Sequence, residues 1–200
     1  MDATVIAAKL VQNINTMSKL KVYLDLDGVT VNWLGPVLKL LNLDENDPKL
    51  RAILKSTNDW IPKELVPEIV NVPKVVGKAG YNFWAFLPTF PWSQKLVEIC
   101  SKYDLYFLSS PSNFPVAAHA KINYVKKTFG NHKVIITEHK YACSGPNKIL
   151  IDDLELNISK WRDAEGIGYL WPNMWKLLDG DEEVPLEELS ILLDELDKRL

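Results

Sequence analysis

Residues 21–31, KVYLDLDGVTV, decide how the rest of the chain is read. The apolar run Val22, Tyr23, Leu24 is broken by Asp25, and Leu26, a second acid at Asp27, and Gly28 follow. β-prone apolar residues bounded by a glycine read as a buried strand that stops at a turn. Side chains alternate along a strand, so Asp25 and Asp27 start on the same side. Two carboxylates at the end of a buried strand are unfavourable unless positive charge lies between or beside them. A hard cation such as Mg²⁺ answers this, because it takes oxygen ligands and keeps several waters. Gly28 lets the backbone turn sharply and present the Asp27 carbonyl to the same ion. A lone DxD often does no more than end a strand, so the remainder of the chain must decide.

Before this strand, Ile6, Leu10, Val11, Ile14 and Met17 are spaced for one face of a helix over 3–17. That face reads first as core packing and second as a homodimer contact. After it, residues 33–90 change character. WLGPVLKLLNL, LRAILKST and PKELVPEIV read as short helices, a turn is expected at Val76–Gly80, and the aromatic cluster YNFWAF follows at 81–86. The expectation is a small helical cap over 33–90, inserted into a core made of 1–32 and 91–200.

From Trp92 the pattern becomes regular. Strands are expected at Asp104–Ser110, Lys133–Thr137, Lys148–Ile151 and Gly168–Trp171, and helices at 93–102, Pro115–Phe129, Leu154–Ala164 and 186–199. Gly130 is the natural stop for the second of these helices. The alternation predicts an α/β fold: a Rossmann-like parallel sheet with helices on both faces, plus the cap after the first strand. Sites in such folds lie at the carboxyl ends of the strands. Three strands end there in acids or hydroxyls: Asp25 and Asp27, Ser109 and Ser110, Asp152 and Asp153.

Composition narrows the partners. The chain has 200 residues, 47% hydrophobic and 24% charged, and a net charge of −3. That is an ordinary globular balance without the basic footprint of a duplex nucleic-acid binder. A small phosphorylated substrate needs only a local positive site. Cys100 and Cys143 do not make a disulfide framework, which fits a reducing cytosol. The first residues lack the basic, apolar pattern of a leader, and no segment approaches the roughly 18 apolar residues of a membrane span.

Carboxylates, hydroxyls, a lysine and a divalent cation suit a phosphoryl group, whose transfer depends on positioning and charge stabilisation. One carboxylate can act as nucleophile, and another can protonate the leaving alcohol and then deprotonate water.

DLDGV at 25–29, LSSPS at 108–112, Lys140 and ILIDD at 149–153 resemble the four motifs of the haloacid dehalogenase superfamily of phosphatases. The resemblance runs from about residue 21 to 180, nearly the whole chain. Within it, the sequence is most similar to the 5'(3')-deoxyribonucleotidases, cellular and phage-type. The supporting features are the aromatic Trp33 after DLDGV, SSP after the second strand, a helix ending in KKTFG, and Lys140 twelve residues before Asp152.

The resemblance implies Asp25 as nucleophile and Mg²⁺ ligand, and Asp27 as general acid/base with its carbonyl on the metal. It implies Ser109, with Ser110 beside it, as the hydroxyl partner of the phosphoryl oxygens, and Lys140 as the balancing charge. Asp153 would complete the metal shell, and Asp152 would orient it or hold a water; which of the two touches the metal stays open. Ser109 departs from the threonine common in cellular relatives, but both supply a hydroxyl. Lys121 resembles a phosphate-reaching lysine and equally reads as a solvated helix residue. Lys148 reads as solvent-facing. His119, His132 and His139 lack metal-ligand spacing. Trp33, Trp60, Phe83, Trp84 and Phe86 read as cap core or as a substrate wall, with Trp33 the strongest wall candidate.

The implied activity is a Mg²⁺-dependent phosphomonoesterase acting on (deoxy)nucleoside monophosphates through an aspartyl-phosphate. Alternatives on the same scaffold are a polynucleotide end phosphatase and a sugar-phosphate phosphatase. The former should show a basic groove, and 33–90 holds one arginine, Arg51. A phosphate-binding relic is the non-enzyme reading, and it conflicts with the presence of both Asp25 and Asp27.

Overall fold

In the computed structural model, residues 19–56, 71–180 and 184–200 are described. The expected helices at 3–17 and 62–70, and Trp60, lie outside them. Strand β1 (Lys21–Leu24) is central in a five-stranded, all-parallel sheet. The others are β2 (Asp104–Ser109), β3 (Lys133–Ile136), β4 (Lys148–Asp152) and β5 (Ile167–Leu170), in the order β3-β2-β1-β4-β5. In register, Leu24 lies beside Phe107 on one side and Ile151 on the other.

Helices α1 (Leu34–Leu40), α2 (Pro48–Lys55) and α3 (Val72–Ala85) follow β1, and α4 (Ser93–Cys100) leads into β2. Then α5 (Pro115–Thr128) joins β2 to β3, and a short 3-10 turn (Lys140–Cys143) precedes β4. After β4 come α6 (Glu155–Asp163), α7 (Met174–Asp179) beyond β5, and α8 (Leu186–Lys198).

Strand alternation builds two cores. Val22, Leu24, Leu105, Phe107, Ile149 and Ile151 face the larger one, with Leu96 and Cys100 of α4 and Leu189 and Leu193 of α8. Tyr23, Leu108 and Leu150 point the other way, onto Ile158 and Trp161 of α6. A sheet covered on both faces needs apolar residues at successive positions, which is why β1, β2 and β4 read as nearly continuous apolar runs.

Two local expectations are corrected. The turn placed at Val76–Gly80 narrows to its last residue: two helical stretches of α3 meet at a break at Gly80 (φ 61°, ψ −147°). Helix α7 escaped notice because six residues are too short for a readable period. Its ends explain it: the Asn173 side chain accepts from the Trp175 and Lys176 amides, and Gly180 closes it at φ 73°.

The segment between β1 and α4 is tied to the sheet domain at two places. On one side Tyr81 of α3 accepts a 3.0 Å hydrogen bond from Asn123 of α5, and a Cβ on Gly77 would lie 2.7 Å from the Phe114 ring. On the other, Asn173 donates to the Leu54 carbonyl at 3.0 Å, and Arg51 and Lys55 both pair with Asp179. Among the described residues no helix is long and apolar enough to cross a membrane.

Candidate active site

The loop after β1 is a tight, wedged structure. Gly28 sits at φ 83°, a conformation that side chains other than glycine rarely adopt, and a Cβ there would lie 1.9 Å from Asp153 Oδ2. Thr30 Oγ1 donates to the Asp25 and Leu26 carbonyls at 3.1 and 3.3 Å. The start of α4 holds the loop from below: Trp92 Nε1 donates to the Val29 carbonyl at 2.9 Å and Ser93 Oγ to the Thr30 carbonyl at 2.6 Å. The Asp25 amide donates to Ile151 at 3.0 Å, so the ladder with β4 continues to the first acid.

Around this loop the strand ends converge as the sheet topology requires. One carboxylate oxygen from each of Asp25, Asp152 and Asp153 lies within 4.8 Å of the others. Lys140, only 3% exposed, reaches in from the turn before β4. Its Nζ is 2.7 Å from Asp152 Oδ2 and 2.8 Å from Asp25 Oδ1. The Asp25 contact is an ion pair without hydrogen-bond alignment, leaving Oδ1 buried and without a directed donor.

Asp152 and Asp153 differ in what already holds them. Asp152 is fully buried and accepts from Lys140, from the Leu154 amide at 2.9 Å, and from Asn157 Nδ2 at 3.1 Å on both oxygens. Asp153 is half-buried, lies against Gly28, and forms no ion pair with a lysine or arginine among the described residues, though it feels the charge of Lys140. Of the pair, Asp153 is the one whose oxygens are available to a ligand.

Electrostatics follow from this crowding. Burial, with Asp152 and Asp27 nearby, outweighs the opposing pull of Lys140 and pushes the Asp25 carboxyl up to about 7. Burial, then Asp152 and Asp25, raises Asp153 well above the carboxylate range. Burial works against the Lys140 ammonium, but Asp25 and Asp152 overcome it and hold its pKa above the ordinary lysine value.

Asp27 points elsewhere. Its Oδ2 is 2.5 Å from Nζ of Lys121. Lys121 is 4% exposed, which removes the reading of it as a solvated helix residue. Its ammonium also donates to Ser109 Oγ at 3.1 Å and the Ser110 carbonyl at 2.8 Å, and lies 4.9 Å from the Trp84 ring centroid. Fully ionised, the four acids would set four negative charges against two ammonium groups, an excess of two that the raised Asp25 and Asp153 carboxyls reflect. That imbalance, the all-oxygen donor set and the buried Asp25 oxygen fit a hard divalent cation.

A cavity of about 360 Å³ opens from Asp27, Ser110 and Lys121. Trp33 and Trp84 line it, with Val72, Val76 and Phe114. Phe83 does not line it: it packs edge-on against Trp84, with centroids 5.0 Å apart. Phe86 is 67% exposed beneath Lys127. Lys148 is also not free in solvent; it donates to the Cys143 and Ser144 carbonyls at 2.9 and 3.1 Å and closes the loop before β4. His119 packs tilted against Tyr81, and His132 and His139 sit edge-on to Phe107 and Tyr141; none belongs to the carboxylate cluster.

Sequence reading missed Asn157, Ser93 and Trp92, the residues that hold the acids and their loop. Asn157 had a signal: an amide on the first turn of the helix that follows an acidic strand end. Ser93 and Trp92 had none, because they act on a loop more than 60 residues away.

No family model matches the chain. A Staphylococcus epidermidis protein named "Putative 5'(3')-deoxyribonucleotidase" is 25% identical over 143 residues, which cover 69% of this chain and 74% of the relative. Among solved structures, a haloacid dehalogenase-like family hydrolase from Streptococcus pneumoniae superposes with a TM-score of 0.52 at 18% identity. That match covers 88% of this chain and 99% of the other. A "putative HAD-hydrolase" from Bacillus subtilis, solved bound to magnesium, gives 0.51 at 13% identity over 86% and 97%. The wedged acidic loop, the strand order and these superpositions agree: the chain has the haloacid dehalogenase-like hydrolase fold, and its sequence is similar to the staphylococcal relative over most of its length.

Proposed function

We propose that this protein is a Mg²⁺-dependent phosphomonoesterase that removes phosphate from deoxynucleoside monophosphates. The observation that carries this reading is the continuity of two unlike regions: the carboxylate and lysine cluster opens, through Asp27, Ser110 and Lys121, into a cavity walled by Trp33 and Trp84. A phosphate and an aromatic leaving group need those two regions side by side. The names of the staphylococcal relative and the magnesium-bound neighbour support the same direction.

Asp25, Asp153 and the Asp27 carbonyl would hold the cation, with Asp152 positioning Asp153 and Lys140. When bound, the cation neutralises carboxylates and phosphoryl oxygens together. Asp27, which takes a proton from solvent once Lys121 leaves it for the phosphoryl oxygens, acts as the acid: the Asp25 carboxylate attacks phosphorus, and the bond from phosphorus to the leaving oxygen breaks as Asp27 gives that oxygen its proton. Ser109, Ser110 and Lys121 take the phosphoryl oxygens, and Lys140 holds Asp25 in its attacking position. Asp27 then accepts a proton from water, the water oxygen attacks phosphorus, and the bond to Asp25 breaks to release phosphate. Residues 33–90 act as the cap that closes over the leaving group. The free thiols Cys100 and Cys143 support a reducing compartment.

Base stacking on aromatic side chains contributes roughly 1–3 kcal/mol per base. A ribose 2'-hydroxyl buried against an apolar wall without a partner costs about 1–3 kcal/mol, roughly a tenfold to hundredfold preference for the deoxy sugar. The test is phosphate release across nucleoside 5'- and 3'-monophosphates, deoxy and ribo, with sugar phosphates and a 5'-phosphorylated oligonucleotide alongside. Deoxynucleoside monophosphates should lead. Faster turnover of sugar phosphates or of the oligonucleotide would contradict the assignment.

A further inference from the structure

We propose that Asn113, with Ser112 beside it, reads the hydrogen-bonding edge of the nucleobase and so sets the preference for a nucleotide over a bare sugar phosphate. The inference rests on the nucleotidase reading and extends it to residues outside the four motifs. The cavity has two kinds of lining. Trp33 and Trp84 offer flat apolar faces, whereas the loop after β2 brings Ser112 and Asn113. Among the described residues, neither the Asn113 amide nor the Ser112 hydroxyl makes a hydrogen bond, although both border a largely apolar space.

The neighbouring amide, Asn157, is different: its nitrogen is committed to Asp152. Lys121 is the one lysine or arginine among the described lining residues, and it is engaged with Asp27 at the phosphate end. The distal part of the cavity therefore suits a neutral, planar leaving group with polar edge atoms.

A side-chain amide presents two donors and one acceptor in one plane. Every nucleobase has an adjacent donor and acceptor on its edge, the pattern an asparagine matches bidentately on adenine. A terminal amide satisfies either order by rotating, so Asn113 distinguishes a base from no base more strongly than one base from another. Deoxyribose 5-phosphate carries the same reacting phosphate and sugar without that edge.

The experiment compares kcat/KM for thymidine 5'-monophosphate, deoxyadenosine 5'-monophosphate and 2-deoxyribose 5-phosphate in wild type, Asn113→Ala and Ser112→Ala. Asn113 is exposed at the cavity, and thermal unfolding of each variant checks that the fold is kept. Asn113→Ala should lower the ratio of nucleotide to sugar-phosphate efficiency about tenfold or more, chiefly through KM, with a smaller fall for Ser112→Ala. An unchanged ratio overturns the role of Asn113 and leaves the nucleotidase reading standing. A wild type that cleaves deoxyribose 5-phosphate and no nucleotide overturns both.

Discussion

Asp25 ionises against its surroundings. Burial and two nearby acids lift its carboxyl from 3.8 to about 7, against the pull of Lys140. Between those two values the folded protein keeps a proton that the unfolded chain has released. Without a divalent cation, this group therefore stabilises the fold most at acid pH, and its contribution falls as pH rises from about 4 to about 7. A cation that binds the ionised carboxylates reverses the trend. At a hundredfold excess over its Kd it adds about 2.7 kcal/mol. In a domain of this size that corresponds to about 5–10 °C in Tm. Thermal unfolding with EDTA and with Mg²⁺ at pH 5 and pH 8 should show the larger shift at pH 8. An equal shift at both pH values, or none, would mean that the acids do not form the cation site. At this scale the sequence was informative about Asp25, Asp27, Lys140 and the acidic pair, because their spacing within strands and turns marks them. It could not separate Asp152 from Asp153. That distinction comes from donors on a different helix, Asn157 above all, which fill one carboxylate and leave the other open.

The loop between β1 and α1 depends on elements distant in sequence. Its carbonyls are buried acceptors satisfied by Trp92 and Ser93 at the start of α4. Removing one partner of a buried hydrogen bond costs about 1–3 kcal/mol. Ser93→Ala should lose about that much stability in urea denaturation. It should also lower kcat more than it raises KM, since the loop carries Asp25 and Asp27 and only part of the cavity. A stable variant with unchanged kcat would show that the loop holds its shape without α4. The strands and long helices around it were readable because their periods repeat over enough residues. The bounds of the broken α3 were not: Gly80 does interrupt it, but helix resumes on either side, where Gly77 packs against Phe114 and Tyr81 bonds to Asn123. Helix α7 is a similar case, fixed by its caps and by the Asn173 bond to Leu54, a residue far away in the chain.

Across the whole molecule, the parallel sheet brings three acidic or hydroxylated strand ends to one edge, and the α1–α3 segment adds the two tryptophans facing that edge. The proposed mechanism makes one chemical prediction at this scale: the phosphoryl group is carried by Asp25 between substrate and water. Fold class was legible from the alternation of strands and helices, whereas the cavity wall was not, because Trp33 and Trp84 line it while Phe83 and Phe86, equally aromatic in sequence, turn away. The most direct test is rapid acid quench of the enzyme turning over ³²P-labelled thymidine 5'-monophosphate with Mg²⁺, followed by peptide mapping of the trapped phosphoryl group. An acyl-phosphate is expected on Asp25, formed and discharged at rates consistent with kcat and absent in a folded Asp25→Asn variant that does not turn over. A phosphoryl group on any other residue, or wild-type turnover by Asp25→Asn, would contradict it.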